Sequence, residues 1–179
     1  MSILTIIVIV ANCSIEAQAY DGNSGYGFVK LNNDTVWETS NRAPTQQIRG
    51  VNILLFEPFN CSLLDSRNFD TYEYREAATE VSTYLRQVDQ GVIIVGVTHD
   101  EPTHYLASAL SALQQLRIDV SDVQYRGSFV FVAQKGFPAK TELRKALNEQ
   151  ESARNQPRLS VNIAGNNAKK YSLLHQLTA

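Results

Sequence analysis

Two short apolar runs constrain this chain most: Val51 to Phe56, closed by Pro58, and Val92 to Val97, opened by Gly91. Both read as buried strands with central places in a sheet. Ser128 to Gln134, between Gly127 and Gly136, combines aromatic and β-branched residues and reads as another. Tyr26 to Leu31 and Leu159 to Ile163 give weaker strand signals at the two ends. Between the first two strong strands, Ala78, Val81, Leu85 and Val88 recur at helical spacing within Tyr74 to Gln90, with Asp70 or Thr71 as start signals. After the second strand, Pro102 and Thr103 open a helix lined by Leu106, Leu110, Leu113 and Leu116. A third, shorter helix is expected over Thr141 to Leu147, with Leu143 and Leu147 on one face. Helices packed on a sheet follow from this order.

At 179 residues, 44% of them hydrophobic and 19% charged, one domain with its own core is expected. A formal charge of −2 supplies no basic field, so neither nucleic acid nor an anionic membrane is an expected partner. The one dense apolar run, Ile3 to Ala11, is shorter than the roughly 20 residues that span a bilayer. Followed by the small-x-small triplet Ala17-Gln18-Ala19, it reads as a signal peptide over residues 1–19, cleaved after Ala19, and makes the protein secreted and extracellular. The alternative is a buried N-terminal strand, since no basic residue precedes the apolar run.

Cleavage there removes Cys13 and leaves Cys61 as the only thiol of a domain over 20–165, followed by a tail over 166–179. No internal disulfide is then expected, and Cys61 is either free, buried, or the link of a homodimer. Asn33-Asp34-Thr35 and Asn60-Cys61-Ser62 are sequons, so Asn33 and Asn60 are candidate glycosylation sites.

His99-Asp100-Glu101 with His104 is the densest titratable set, yet histidines five apart do not share a helix face, and no metal is expected there. No Gly-x-Ser-x-Gly elbow, phosphate-binding loop or His-Glu-x-x-His motif is present, so neither catalytic residues nor a cofactor are expected. Asp100 instead ends a buried strand, Arg126 precedes another and Arg49 precedes a third. A carboxylate that accepts hydroxyl hydrogen bonds and guanidinium groups that donate forked ones suit a polyhydroxylated ligand. The same residues equally suit a salt bridge that pins loops, and spacing alone does not bring them together.

The order Arg49-Gly50-Val51-Asn52, Phe69-Asp70-Thr71-Tyr72, Asp100-Glu101-Pro102, then Tyr125-Arg126 with Phe129-Val130-Phe131 and Lys135-Gly136 resembles the ILEI/PANDER-like domain family. That family also includes the stem domain of the O-mannose N-acetylglucosaminyltransferase. The resemblance covers roughly residues 26–165 and implies an α+β fold: a compact single domain of mainly antiparallel sheets packed with two to three helices. It implies no enzyme, and either a lectin-like carbohydrate-binding domain for a glycan or glycoprotein or a cytokine-like ligand for a cell-surface receptor. The resemblance implies that the glycan-contacting positions of the stem domain are matched by Arg49, Asp100 and Arg126. Two features depart from the family: Cys61 without a partner, and Arg126-Gly127-Ser128-Phe129 where Arg-Asp followed by Trp is usual. Trp37 lies elsewhere, as a stacking platform or an ordinary core or edge residue.

Overall fold

The computed structural model describes residues 12–20, 26–39 and 48–164. Within them run β1 (Asn12–Gln18), β2 (Phe28–Leu31), β3 (Asp34–Glu38), β4 (Gly50–Phe56), β5 (Leu63–Phe69), α1 (Ala77–Gln87) and β6 (Ile93–His99). A 3₁₀ turn (Leu106–Ala109) then leads into α2 (Leu110–Gln115), followed by β7 (Ser128–Gln134), β8 (Glu142–Ala146), α3 (Glu149–Arg154) and β9 (Arg158–Ala164). The strands form two antiparallel sheets, of order β3-β2-β1-β9 and β5-β4-β6-β7-β8. With three helices, this is a compact α+β domain.

The layers explain the apolar runs. β4, β6 and β7 are buried along their whole length because the five-stranded sheet is covered on both faces. Ile53, Ile94, Phe129 and Phe131 pack on one face against Val81 and Leu85 of α1 and Leu113 of α2. Leu54, Phe56, Val95, Val97 and Val130 pack on the other against Ile15, Val29 and Ile163 of the smaller sheet. A strand with no solvated face has no reason to alternate, and each fully buried side chain of this size contributes about 1.5–3 kcal/mol. Gly96 interrupts the β6 run because a Cβ there would lie 2.1 Å from the Phe131 ring.

The N-terminal expectation requires correction. Asn12–Gln18 is a strand paired on both sides, with β2 and with β9, and Cys13, Ile15, Ala17 and Ala19 point into the core with no exposure. The small residues of Ala17-Gln18-Ala19 are inward positions of this alternating strand, and cleavage after Ala19 would remove the strand between β2 and β9. Cys13 is bonded to Cys61, so Cys61 is neither lone nor free, and the alternative of an intermolecular link through it gives way to an intramolecular disulfide.

Two further differences lie near the C-terminus. Thr141 to Leu147 is not a helix: Glu142–Ala146 is the edge strand β8, in which Leu143 lies opposite Phe131. Leu143 and Leu147 do have helical spacing, but pairing with β7 outweighs it in so short a segment. The helix lies beyond, over Glu149–Arg154, where the Asn148 side chain caps the Glu151 N–H and the Glu151 carboxylate accepts from Leu147 N–H. Trp37 sits half-buried in edge strand β3 against the core between the sheets. The expected tail over 166–179 lies outside the described residues.

Candidate functional site

The antiparallel order of the larger sheet decides which residues share an end. The start of β4, the ends of β5 and β6 and the start of β7 all lie at one end, so Arg49, Asp70, Asp100 and Arg126 gather there. Gly50 pairs with His99, so Arg49 and Asp100 both follow directly on the last pair of that ladder. Gly50 itself is required by a φ of +90° and by the Phe69 carbonyl oxygen, 2.3 Å from where a Cβ would stand.

Each arginine is held by a different carboxylate. Asp70 receives Arg49 in a forked pair, from Nε at 3.0 Å to Oδ1 and from Nη2 at 2.8 Å to Oδ2, and Glu73 accepts from Nη2 at 3.1 Å. Asp70 Oδ1 also accepts from the N–H groups of Tyr72 and Glu73, so the turn after β5 is built around the arginine. The Arg49 guanidinium lies 4.7 Å over the Tyr72 ring, which in turn contacts His104. Arg126 Nη1 donates to Glu149 at 3.0 Å, and its guanidinium lies 5.7 Å from the centre of the exposed Tyr125 ring. The hydrogen bonds they donate to Asp70 and to Glu149, respectively, hold the two guanidinium groups above the usual arginine range, and both feel the charge of Asp100.

Asp100 differs from Asp70, Glu73, Glu101 and Glu149 around it. Among the described residues its carboxylate accepts no hydrogen bond, although it is only half-exposed and lies within electrostatic reach of Arg49 and Arg126. Its backbone N–H donates to Tyr20 C=O at 3.1 Å. Both Asp100 and Arg126 have left-handed backbones, with φ of 58° and 56°, a conformation that side chains other than glycine adopt at a cost and that clusters at functional sites.

Glu101 supplies the support. Buried to 2% exposure, it accepts from Thr103 N–H at 2.6 Å with one oxygen and from Arg126 N–H with the other, tying the loop before β7 to the end of β6. Two residues before Asp100 on β6, Thr98 Oγ1 bonds both the N–H and the C=O of Phe129 on β7. Behind Asp100, His99 is buried and its Nδ1 has no hydrogen-bond partner among the described residues; burial lowers its pKa from 6.5, against an opposing pull from Asp100.

The structure therefore brings Arg49, Asp100 and Arg126 to one end of the sheet, and the alternative of a structural salt bridge holds for Arg49 with Asp70. Asp70, Glu73, Glu101 and Glu149 escaped the sequence reading as site residues. Asp70 carried a signal as a turn and cap residue, whereas nothing in the spacing links Glu149 to Arg126. The candidate glycosylation residues Asn33, in the turn from β2 to β3, and Asn60, in the loop from β4 to β5, are both exposed.

This sheet end lies inside a recognisable segment. Residues 49–137 match the family described as interleukin-like EMT inducer. The ILEI match begins at Arg49 and contains Asp70, Asp100 and Arg126 together with β4 to β7. It leaves out the smaller sheet and the strand that carries Cys13. No curated protein matches the chain.

Proposed function

We propose that this chain is a secreted, non-enzymatic carbohydrate-binding domain that holds a glycan or glycoprotein at the end of its five-stranded sheet. The observation that carries the reading is Asp100: a carboxylate without a hydrogen-bond donor among the described residues, within electrostatic reach of two arginines that other acids hold in place. A carboxylate flanked by guanidinium groups offers acceptors and donors to adjacent hydroxyls of one sugar ring. Exposed Tyr125 adds an apolar ring face beside Arg126. The site is open and wet, so each hydrogen bond exchanged with water contributes only about 0.5–1.5 kcal/mol net, and useful affinity comes from repeated epitopes.

Export is supported by the Cys13–Cys61 disulfide, since such bonds persist in oxidising compartments. No described helix is long and apolar enough to cross a membrane. In an exported chain, exposed Asn33 and Asn60 are open to glycosylation. A glycan array probed with the purified chain tests the proposal: binding confined to a related set of glycans supports it. Silence across the array, with binding retained on cells stripped of glycans, transfers the site to a protein receptor. That second reading, a cytokine-like ligand, is favoured by the family description itself.

A further inference from the structure

We propose that an N-linked glycan on Asn60 is a structural part of this domain, its first sugars lying over the exposed apolar side chains of Phe59, Leu63 and Leu64. The proposal rests on the export argued above and not on what the Asp100 end binds. Phe59, Leu63 and Leu64 are exposed by 50%, 45% and 51%, and all three lie within four positions of Asn60. They are half of the six large hydrophobic residues that stand exposed among the described residues. Scattered singly, such residues need no explanation; gathered in one loop and the start of one strand, they mark a surface that something covers. Leu63 and Leu64 also open β5, the outer strand of its sheet, where its ladder with β4 shifts register. Further along that edge, Arg67 donates to Asp65 at 2.9 Å and Asp65 accepts from Ser66 N–H at 2.9 Å. The apolar start has no charge, lysine or proline, the usual guards of an edge strand.

The loop from β4 to β5 presents the acceptor. Glu57 N–H donates to Ser62 C=O and Cys61 N–H to Glu57 C=O, both at 2.9 Å, so the loop closes on itself. The Glu57 carboxylate accepts from Phe59 N–H at 2.6 Å and from Asn60 N–H at 3.0 Å, and the disulfide anchors Cys61. Asn60 Oδ1 accepts from Ser62 N–H at 2.8 Å, while its Nδ2 has no partner among the described residues and the residue is exposed. In the sequon Asn60-Cys61-Ser62 that nitrogen is the one modified. The co-reactant is a lipid pyrophosphate-linked oligosaccharide: the bond from Nδ2 to sugar C1 forms, the bond from C1 to the pyrophosphate oxygen breaks, and Nδ2 gives one proton to base. Asn33 makes the contrast, because its sequon lies in the turn from β2 to β3 between exposed Asn32 and Asp34. The exposed large hydrophobic residue nearest to it in the chain is Tyr26, seven positions away. β4 starts at the Asp100 end and runs away from it, so Asn60 stands at the opposite end of the sheet and its glycan leaves the candidate site open.

The full chain, carried through the secretory pathway of eukaryotic cells by a cleavable leader, tests the proposal by mass and by melting. Ser62→Ala and Thr35→Ala each remove one sequon, and neither hydroxyl makes a hydrogen bond among the described residues. Peptide mass analysis should find a glycan on Asn60 in the parent and none in Ser62→Ala. Ser62→Ala should melt at least about 2 °C below the parent and bind more of a hydrophobic dye, whereas Thr35→Ala should match the parent in both. Phe59→Ser should lower the melting temperature of the glycosylated parent and leave that of Ser62→Ala unchanged, because only the first has a sugar against the ring. A bare Asn60 in the exported parent overturns the proposal, as do equal melting temperatures for the parent and Ser62→Ala, or an effect of Phe59→Ser that is the same with and without the glycan. Should Ser62→Ala fail to fold, enzymatic removal of the glycan from folded Thr35→Ala makes the same comparison at Asn60 alone. Carbohydrate binding at the Asp100 end is read separately on the array and should be unchanged in Ser62→Ala, so failure of either reading leaves the other standing.

Discussion

Cys13, in the middle of the smaller sheet, and Cys61, in the loop between β4 and β5, form a disulfide that joins the two sheets, their Cα atoms 5.6 Å apart. The bond spans 48 positions, and on a chain-entropy account its closure restricts the unfolded chain by about 4 kcal/mol. Replacing both cysteines by serine should lower the unfolding free energy by about 2–4 kcal/mol in a denaturant titration. The parent should show no titratable thiol before reduction; a free Cys61 would refute the pairing.

β1 gives the N-terminus a structural role. A chain that starts at Tyr20 loses the strand between β2 and β9 and the inward side chains of Cys13, Ile15, Ala17 and Ala19. It should show no cooperative melt, whereas the full chain should. N-terminal sequencing of protein recovered from cells should accordingly find Cys13 retained, and a cooperatively folded chain that begins at Tyr20 contradicts this role.

Burial keeps His99 neutral in the fold, with its pKa below the 6.5 of an ordinary histidine. As the pH falls, the unfolded chain binds this proton first. The stability contributed by the neutral imidazole is therefore intact above about pH 6.5 and declines from there down to the folded pKa. Thermal melts taken at falling pH should show this decline, and His99→Phe should flatten it. An unchanged profile in the variant would assign the acid sensitivity to other groups.

The two aspartates of the sheet end should separate cleanly. Asp70 is 8% exposed and Arg49 15%, so Asp70→Ala leaves a largely buried guanidinium without its forked partner and should cost about 3–5 kcal/mol. Asp100→Asn removes a charge that no donor among the described residues engages, and asparagine tolerates the left-handed backbone, so stability should move by less than about 0.5 kcal/mol. Equal losses in the two variants, read by denaturant titration, would make Asp100 a structural residue.

The centre of the larger sheet was legible because β4, β6 and β7 are apolar on both faces, and α1 because Val81 and Leu85 repeat at helical spacing. β1 was not, because its inward residues are mostly small: an alternation of Cys13, Ile15, Ala17 and Ala19 with polar residues also has the form of a cleavage site after an apolar run. β5 escaped for the opposite reason, since an exposed edge strand has little apolar pattern to read. β8 went astray because leucines four apart fit a helix and say nothing of pairing with β7. At the sheet end, sequence order gave the termini of three strands. Which arginine meets which acid depends on loops that return from Asp70 and Glu149, and spacing does not encode such meetings.

The most direct measurement is the binding of a multivalent glycan, taken from the best array signal, to the parent chain and to Asp100→Asn under identical conditions. The parent should bind, and the variant should bind at least about tenfold more weakly while melting at the same temperature. Undiminished binding by the variant, or a parent chain that binds no glycan, would contradict a carbohydrate site at this end of the sheet.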